Sequence, residues 1–133
     1  MRVTVHVDGG ARGNPGPAAA AAVIDGDGVH DEVGERLGVA TNNVAEYRGL
    51  LLGLRRAREL GATEVEVIND SELVAKQLNG EYRVKHPDLK PLYEAARREL
   101  EGFRAWSIRS VPRAQNADAD RLVNATLDSP AGA

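Results

Sequence analysis

The chain has 133 residues, a length that suits one domain around a single core. Its 42 % apolar and 28 % charged content is that of an ordinary globular chain, and with no cysteine it excludes disulfides, thiolate zinc sites and a cysteine nucleophile. The net charge of −3 on its own speaks against a nucleic-acid partner, unless a cluster of acids collects divalent cations and changes the working charge. The opening MRVTVHVDGG holds no long apolar run, and no stretch approaches the ~20 apolar residues of a membrane span. No membrane partner and no signal peptide are therefore expected, and the cysteine-free chain is expected in the cytoplasm.

The elements follow in chain order. Val3, Val5 and Val7 alternate with Thr4, His6 and Asp8, which predicts a strand with Asp8 at its end. A turn rich in glycine and proline, GGARGNPGP, follows at residues 9–17. AAAAAVI predicts a second strand, DGDG a hairpin and HDEVGERLGV a third strand. Tyr47, Leu50, Leu51, Leu54 and Ala57 then repeat at helical spacing, with Gly61 as the stop. EVEVI at residues 64–68 is a short alternating strand, and SELVAKQLNG is a helix closing at Asn79-Gly80. EYRVKHPD is a polar connection. Leu89, Leu92, Tyr93, Ala96 and Leu100 mark another helix, Trp106, Ile108 and Val111 a last strand, and VPRAQN a loop. Asn116 caps a final helix through Leu127. The order β-β-β-α-β-α-α-β-α implies an α/β fold, a mixed five-stranded sheet with helices on both faces. The domain spans residues 1–127, and residues 128–133 read as a tail or the start of a linker.

Four acids stand at element boundaries, and each has an ordinary explanation. Asp8 suits a turn. Asn43 and Glu46 have capping-box spacing at the start of the first helix. Asp70 or Ser71 suits a helix cap, and Asp120 answers the positive end of the last helix. Together they allow another reading. If strands one and four lie side by side and parallel, joined by a right-handed crossover through the first helix, Asp8 and Asp70 meet at neighbouring strand ends, where open α/β sheets place ligands. Glu46 and Asp120 then enter from the flanking helices. Four carboxylates in one space repel each other unless cations neutralise them, and an all-oxygen set suits Mg²⁺ or Mn²⁺. Two such ions about 4 Å apart clamp the attacking and leaving oxygens of a phosphoryl displacement.

The segments DGGARGNPGP (8–17), TNNVAEY (41–47), NDSELV (69–74) and NADADRL (116–122), in this order on this pattern of elements, resemble the type 1 ribonuclease H family over nearly the whole chain. The likeness is to short bacterial and archaeal members without a basic protruding helix, and to the nuclease domain of actinobacterial proteins fused to a phosphatase-like domain. The resemblance implies that Asp8, Glu46, Asp70 and Asp120 hold two Mg²⁺ ions, with Mn²⁺ a substitute. It implies hydrolysis of the RNA strand of an RNA–DNA hybrid to a 5′-phosphate and a 3′-hydroxyl. Asp118 falls outside the family's Asn-x-x-Ala-Asp spacing, which Asn116, Ala119 and Asp120 fit. Gly10, Asn14, Asn42 and Asn43 are the implied substrate contacts.

Two departures stand out. Many bacterial members carry a histidine in the loop before the last acid; here the loop is SVPRAQN, and His6, His30 and His86 lie elsewhere. Arg113 is the ionisable side chain in its place. Arginine cannot serve as a base, but it can hold a phosphate as a bidentate donor. Without a basic protrusion, binding falls to scattered residues such as Arg12, Arg48, Lys76, Arg83 and Lys85. Three other readings remain open on the residues alone: the same fold acting on double-stranded RNA, a non-catalytic nucleic-acid-binding module, and a small cation-binding or phosphatase-type domain.

Overall fold

A computed structural model describes residues 1–129. The elements are β1 (Arg2–Ala11), β2 (Gly16–Gly26), β3 (Val29–Ala40), α1 (Asn42–Glu59), β4 (Glu64–Asn69), α2 (Glu72–Leu78), α3 (Lys90–Glu101), β5 (Ala105–Ser110), a 3₁₀ turn (Arg113–Asn116) and α4 (Ala117–Asp128). Every strand and helix expected from periodicity is present in the expected order. The five strands form one sheet in the order β3-β2-β1-β4-β5. β1 pairs antiparallel with β2 and parallel with β4; β2–β3 is antiparallel and β4–β5 parallel. Among the described residues no helix is long and apolar enough to cross a membrane.

Two faces are covered. Val3, Val5, Val7, Ala22 and Ile24 pack under Tyr47, Leu50 and Leu54 of α1, together with α2 and α3. On the other face Ala19 and Ala21 pack under Val123 of α4. The alanine run of β2 therefore alternates between two cores. Its small side chains let helices approach from both sides. On α1 itself, Gly49 and Gly53 lie one turn apart against β1. A Cβ on Gly49 would sit 2.3 Å from the Asp8 carbonyl oxygen, and one on Gly9 would sit 1.9 Å from that of Ala45. The helix and the strand thus touch backbone to backbone beside Asp8.

Local signals hold where their chemistry is specific. The hairpin turn is Asp27-Gly28, with φ of 51° and 79°, the left-handed pair that a two-residue β-turn requires. Past the end of α1, the Gly61 amide donates to the Arg58 carbonyl and the Ala62 amide to that of Ala57, with Gly61 at φ 91°. This is the double bond of a glycine-terminated helix.

Four expectations are corrected. β1 does not stop at Asp8 but runs to Ala11, because Asp8 to Ala11 keep pairing with Ala21 to Ala18 of β2. The cap of α1 is Thr41, whose Oγ1 accepts from the Val44 amide at 3.2 Å, not Asn43; Glu46 therefore lies in the second turn, outside any capping box. The crossover through α1 leaves β3 at the sheet edge and passes over β2 and β1, rather than leaving β1 directly. α4 ends at Asp128, one residue beyond the expected Leu127, and Pro130–Ala133 lie outside the described residues.

Candidate active site

β1 and β4 pair in register from Arg2–Glu64 to His6–Ile68. Two residues further along each chain, Asp8 stands beside Asp70. β4 ends at Asn69, whose side chain secures the exit: its Oδ1 accepts from the Ser71 amide at 2.6 Å and its Nδ2 donates to the Arg109 carbonyl at 3.2 Å. Ser71, not Asp70, caps α2, accepting from the Val74 amide at 3.2 Å. Asp70 is thereby left without a capping duty. Glu46 reaches in from α1 and Asp120 from the first turn of α4.

One cleft of about 570 Å³ is lined by Asp8, Glu46, Asp70 and Asp120 together with Gly9, Gly10, Arg12, Asn42 and Arg113. The four acids called from the sequence are brought together. Their electrostatics are strained. Asp8 is 8 % exposed, and burial, then Asp70, then to a lesser degree Asp120 and Glu46, push its pKa up to about 7 against the opposing hydrogen bond from the Gly9 amide. Glu46 is raised by burial, with Asp70 adding and a hydrogen bond to Ser71 opposing. Asp70 is raised by burial and Asp120, while the Arg113 guanidinium pulls the other way.

Arg113 comes from the 3₁₀ turn and donates to Asp120 Oδ1 at 2.9 Å. It is the cation that faces the acids, and Asp120 raises its own pKa in return. Asp118 points away: its side chain is 75 % exposed and pairs with Arg121 on the helix surface. Arg113 thus lies in the acid cleft, and Asp118 lies outside it.

The glycine turn is tied to the start of α1. The Ala11 amide donates to Asn42 Oδ1 at 2.9 Å, and the Asn42 amide donates to Asn14 Oδ1 at 3.1 Å. Both Oδ1 atoms are engaged, and both residues are exposed, so their amide NH₂ groups remain as donors accessible to solvent. Gly10 and Asn42 line the cleft, Asn14 buttresses it, and Asn43 is exposed beside it without lining it. Of the scattered basic residues only Arg12 reaches the cleft, where it is held by Asp128 at 2.7 Å and Asn124 at 3.3 Å. Lys76 is paired with Glu72 at 2.6 Å and touches Tyr82, while Arg48 borders a separate groove between β3 and α1. Sequence reasoning missed Ser71 as the partner of Glu46, and Asn124, Val123 and Leu127 as the α4 wall of the cleft. The helical spacing of 120, 123, 124 and 127 carried that signal.

The carboxylates fit divalent cations on chemistry: four hard oxygen donors line one cleft, and of its two arginines Arg12 is paired with Asp128 while Arg113 is paired with one of the four acids, Asp120. Among the described residues no three acidic or histidine side chains are placed so that they could hold an ion as they stand; the four acids share the cleft without forming a ready ion site.

The family described as "Reverse transcriptase-like" matches residues 6–126. "Bifunctional protein Rv2228c" of Mycobacterium tuberculosis is 50 % identical over 134 residues, covering 98 % of this chain and 37 % of that protein. "Ribonuclease HI" of Halobacterium salinarum is 47 % identical over 129 residues, covering 96 % of this chain and 65 % of that protein. The chain thus spans little more than a third of the mycobacterial relative's length. The solved N-terminal RNase H domain of Rv2228c, fused to maltose-binding protein, superposes at a TM-score of 0.92 with 48 % identity, over 96 % of this chain and 100 % of that one. LC11-RNase H1, solved in complex with an RNA/DNA hybrid, superposes at 0.89 with 38 % identity, over 95 % and 96 % of the two chains. The match over almost the whole chain, on this sheet order and with these acids in one cleft, makes the protein a member of the reverse transcriptase-like family, as a type 1 ribonuclease H domain.

Proposed function

We propose that the chain is an endonuclease that hydrolyses the RNA strand of RNA–DNA hybrids, leaving 5′-phosphate and 3′-hydroxyl ends. The observation that carries this reading is the convergence of Asp8, Glu46, Asp70 and Asp120, from four separate elements, in one cleft rimmed by amide donors. These four would hold two divalent cations, Mg²⁺ or Mn²⁺. When bound, the pair neutralises the carboxylates, activates water and offsets charge on the phosphodiester. The chain's own groups do the rest. Gly10 leaves backbone room for a sugar-phosphate strand, and the Asn42 and Asn14 amides donate towards a minor groove, where 2′-hydroxyls distinguish RNA. Arg113 neutralises Asp120 in the free protein and is placed to donate to a phosphate that enters the cleft. The hybrid bound by LC11-RNase H1 supports the choice of substrate.

The test is a hybrid labelled on both strands, with duplex RNA and duplex DNA of the same sequence as controls. Cutting confined to the RNA strand of the hybrid, dependent on Mg²⁺ or Mn²⁺, is expected. Equal cutting of duplex RNA would replace the substrate. Binding without cutting in either metal would replace the enzyme with a binding module.

A further inference from the structure

Asn116 sits where the N-cap of α4 belongs, yet its side chain makes no cap bond. It is 1 % exposed. Its Nδ2 donates instead to the Val7 carbonyl at 2.8 Å, and its Oδ1 is buried without a partner among the described residues. A buried amide that leaves an acceptor unpaired and forgoes its cap carries a desolvation cost with no return to its own helix. The return lies across the cleft. Val7 precedes Asp8, and Asp120 lies one helical turn after Asn116.

The other ties of α4 act elsewhere. Val123 packs on Ala19 and Ala21, and Arg36 donates to the carbonyls of Thr126 and Leu127 at the far end. Ala119 is buried at the start of the helix, but apolar contact permits sliding along the sheet. The Asn116–Val7 bond is directional and fixes the height of the first turn against β1.

We infer that Asn116 is a positioning residue: by bolting the start of α4 to the carbonyl before Asp8, it sets the separation of Asp120 from Asp8 and Asp70, and so the geometry in which the acids receive cations. The inference rests on the cation-dependent nuclease reading. Asn116→Ser keeps a cap-forming side chain but is too short to reach Val7. Asn116→Asp keeps the shape and removes the donor. Each is compared with wild type by hybrid turnover and by Mn²⁺ titration of the metal-free folded protein, followed through paramagnetic broadening of the Asp8 and Asp120 amide signals.

For both variants kcat is expected to fall about 10- to 100-fold with KM within about threefold, and Mn²⁺ affinity to weaken about tenfold. Where one variant fails to fold, the other decides. A folded variant of lower Tm with unchanged kcat and Mn²⁺ affinity would make Asn116 a stabilising residue only and overturn the inference. A wild type that neither binds Mn²⁺ nor cuts the hybrid would instead overturn the nuclease reading on which it stands.

Discussion

Asp8 is an acid held where an acid is costly. Its folded pKa of about 7 lies above the ordinary 3.8, so the folded chain holds that proton more tightly than the unfolded one. The sign follows: this stabilisation is complete below about pH 4 and is lost as pH rises through about 7. Glu46 and Asp70 are raised as well and act in the same direction. In chelator, the metal-free protein is expected to melt at lower temperature as pH climbs from 5 to 8, on the order of 2–4 kcal/mol of stability, with Mg²⁺ restoring it. Asp8→Asn removes the most strongly shifted of the three groups, so the fall of its melting temperature with pH in chelator should be clearly shallower across that range, Glu46 and Asp70 leaving a residual slope. An equally steep curve for the variant would place the effect elsewhere. Arg113 is the second residue-scale test. Arg113→Ala is expected to reduce turnover about tenfold or more, the cost of one charged hydrogen bond to phosphate. Unchanged turnover and unchanged hybrid affinity would remove it from the site. The four acids were legible in the sequence not singly, since each suits a turn, cap or helix dipole, but jointly, because all four stand at element boundaries and within the four segments that resemble ribonuclease H. Asn116 and Ser71 were legible only as caps, because their second partners, Val7 and Glu46, are distant in the chain.

At the scale of elements, the contact between α1 and β1 sets the site. Gly49 allows the helix to rest on the Asp8 carbonyl. Gly49→Ala is expected to cost about 1–3 kcal/mol in urea unfolding and to lower turnover of the folded protein, because the added methyl pushes the helix that carries Glu46 away from the strand that carries Asp8. Full stability would show that the contact relaxes freely. The same contact explains where periodicity misjudged the elements. Valine alternation ends at Val7, so β1 was expected to stop at Asp8. Gly9 and Gly10 have low strand propensity, yet they continue the strand because β2 supplies hydrogen bonds and α1 needs a surface without Cβ atoms. Likewise Thr41 and Asn43 are both good caps. Only the three-dimensional exit from β3 selects Thr41.

The whole molecule carries a net charge of −3, so its overall charge does not steer it to a polyanion. Arg12 and Lys76 are already engaged by Asp128 and Glu72. Hybrid affinity in Mg²⁺ is therefore expected to be weak and to fall at least about tenfold between about 50 and 200 mM salt. Insensitivity over that range would point to contacts other than phosphate. The sheet order was implied by the succession of hairpins and crossover helices, since few arrangements cover both faces of such a sheet. Chain order already placed the first helix after the third strand; the distance the crossover spans was not implied, because it depends on where β3 lies in the sheet. The most direct test of the whole account is cleavage of an RNA–DNA hybrid in Mg²⁺ by the wild type and by Asp70→Asn side by side. The account predicts RNA-strand cleavage by the wild type and its loss in the variant, with the fold retained. Equal cleavage by the two proteins, or none by the wild type in Mg²⁺ or Mn²⁺, would contradict it.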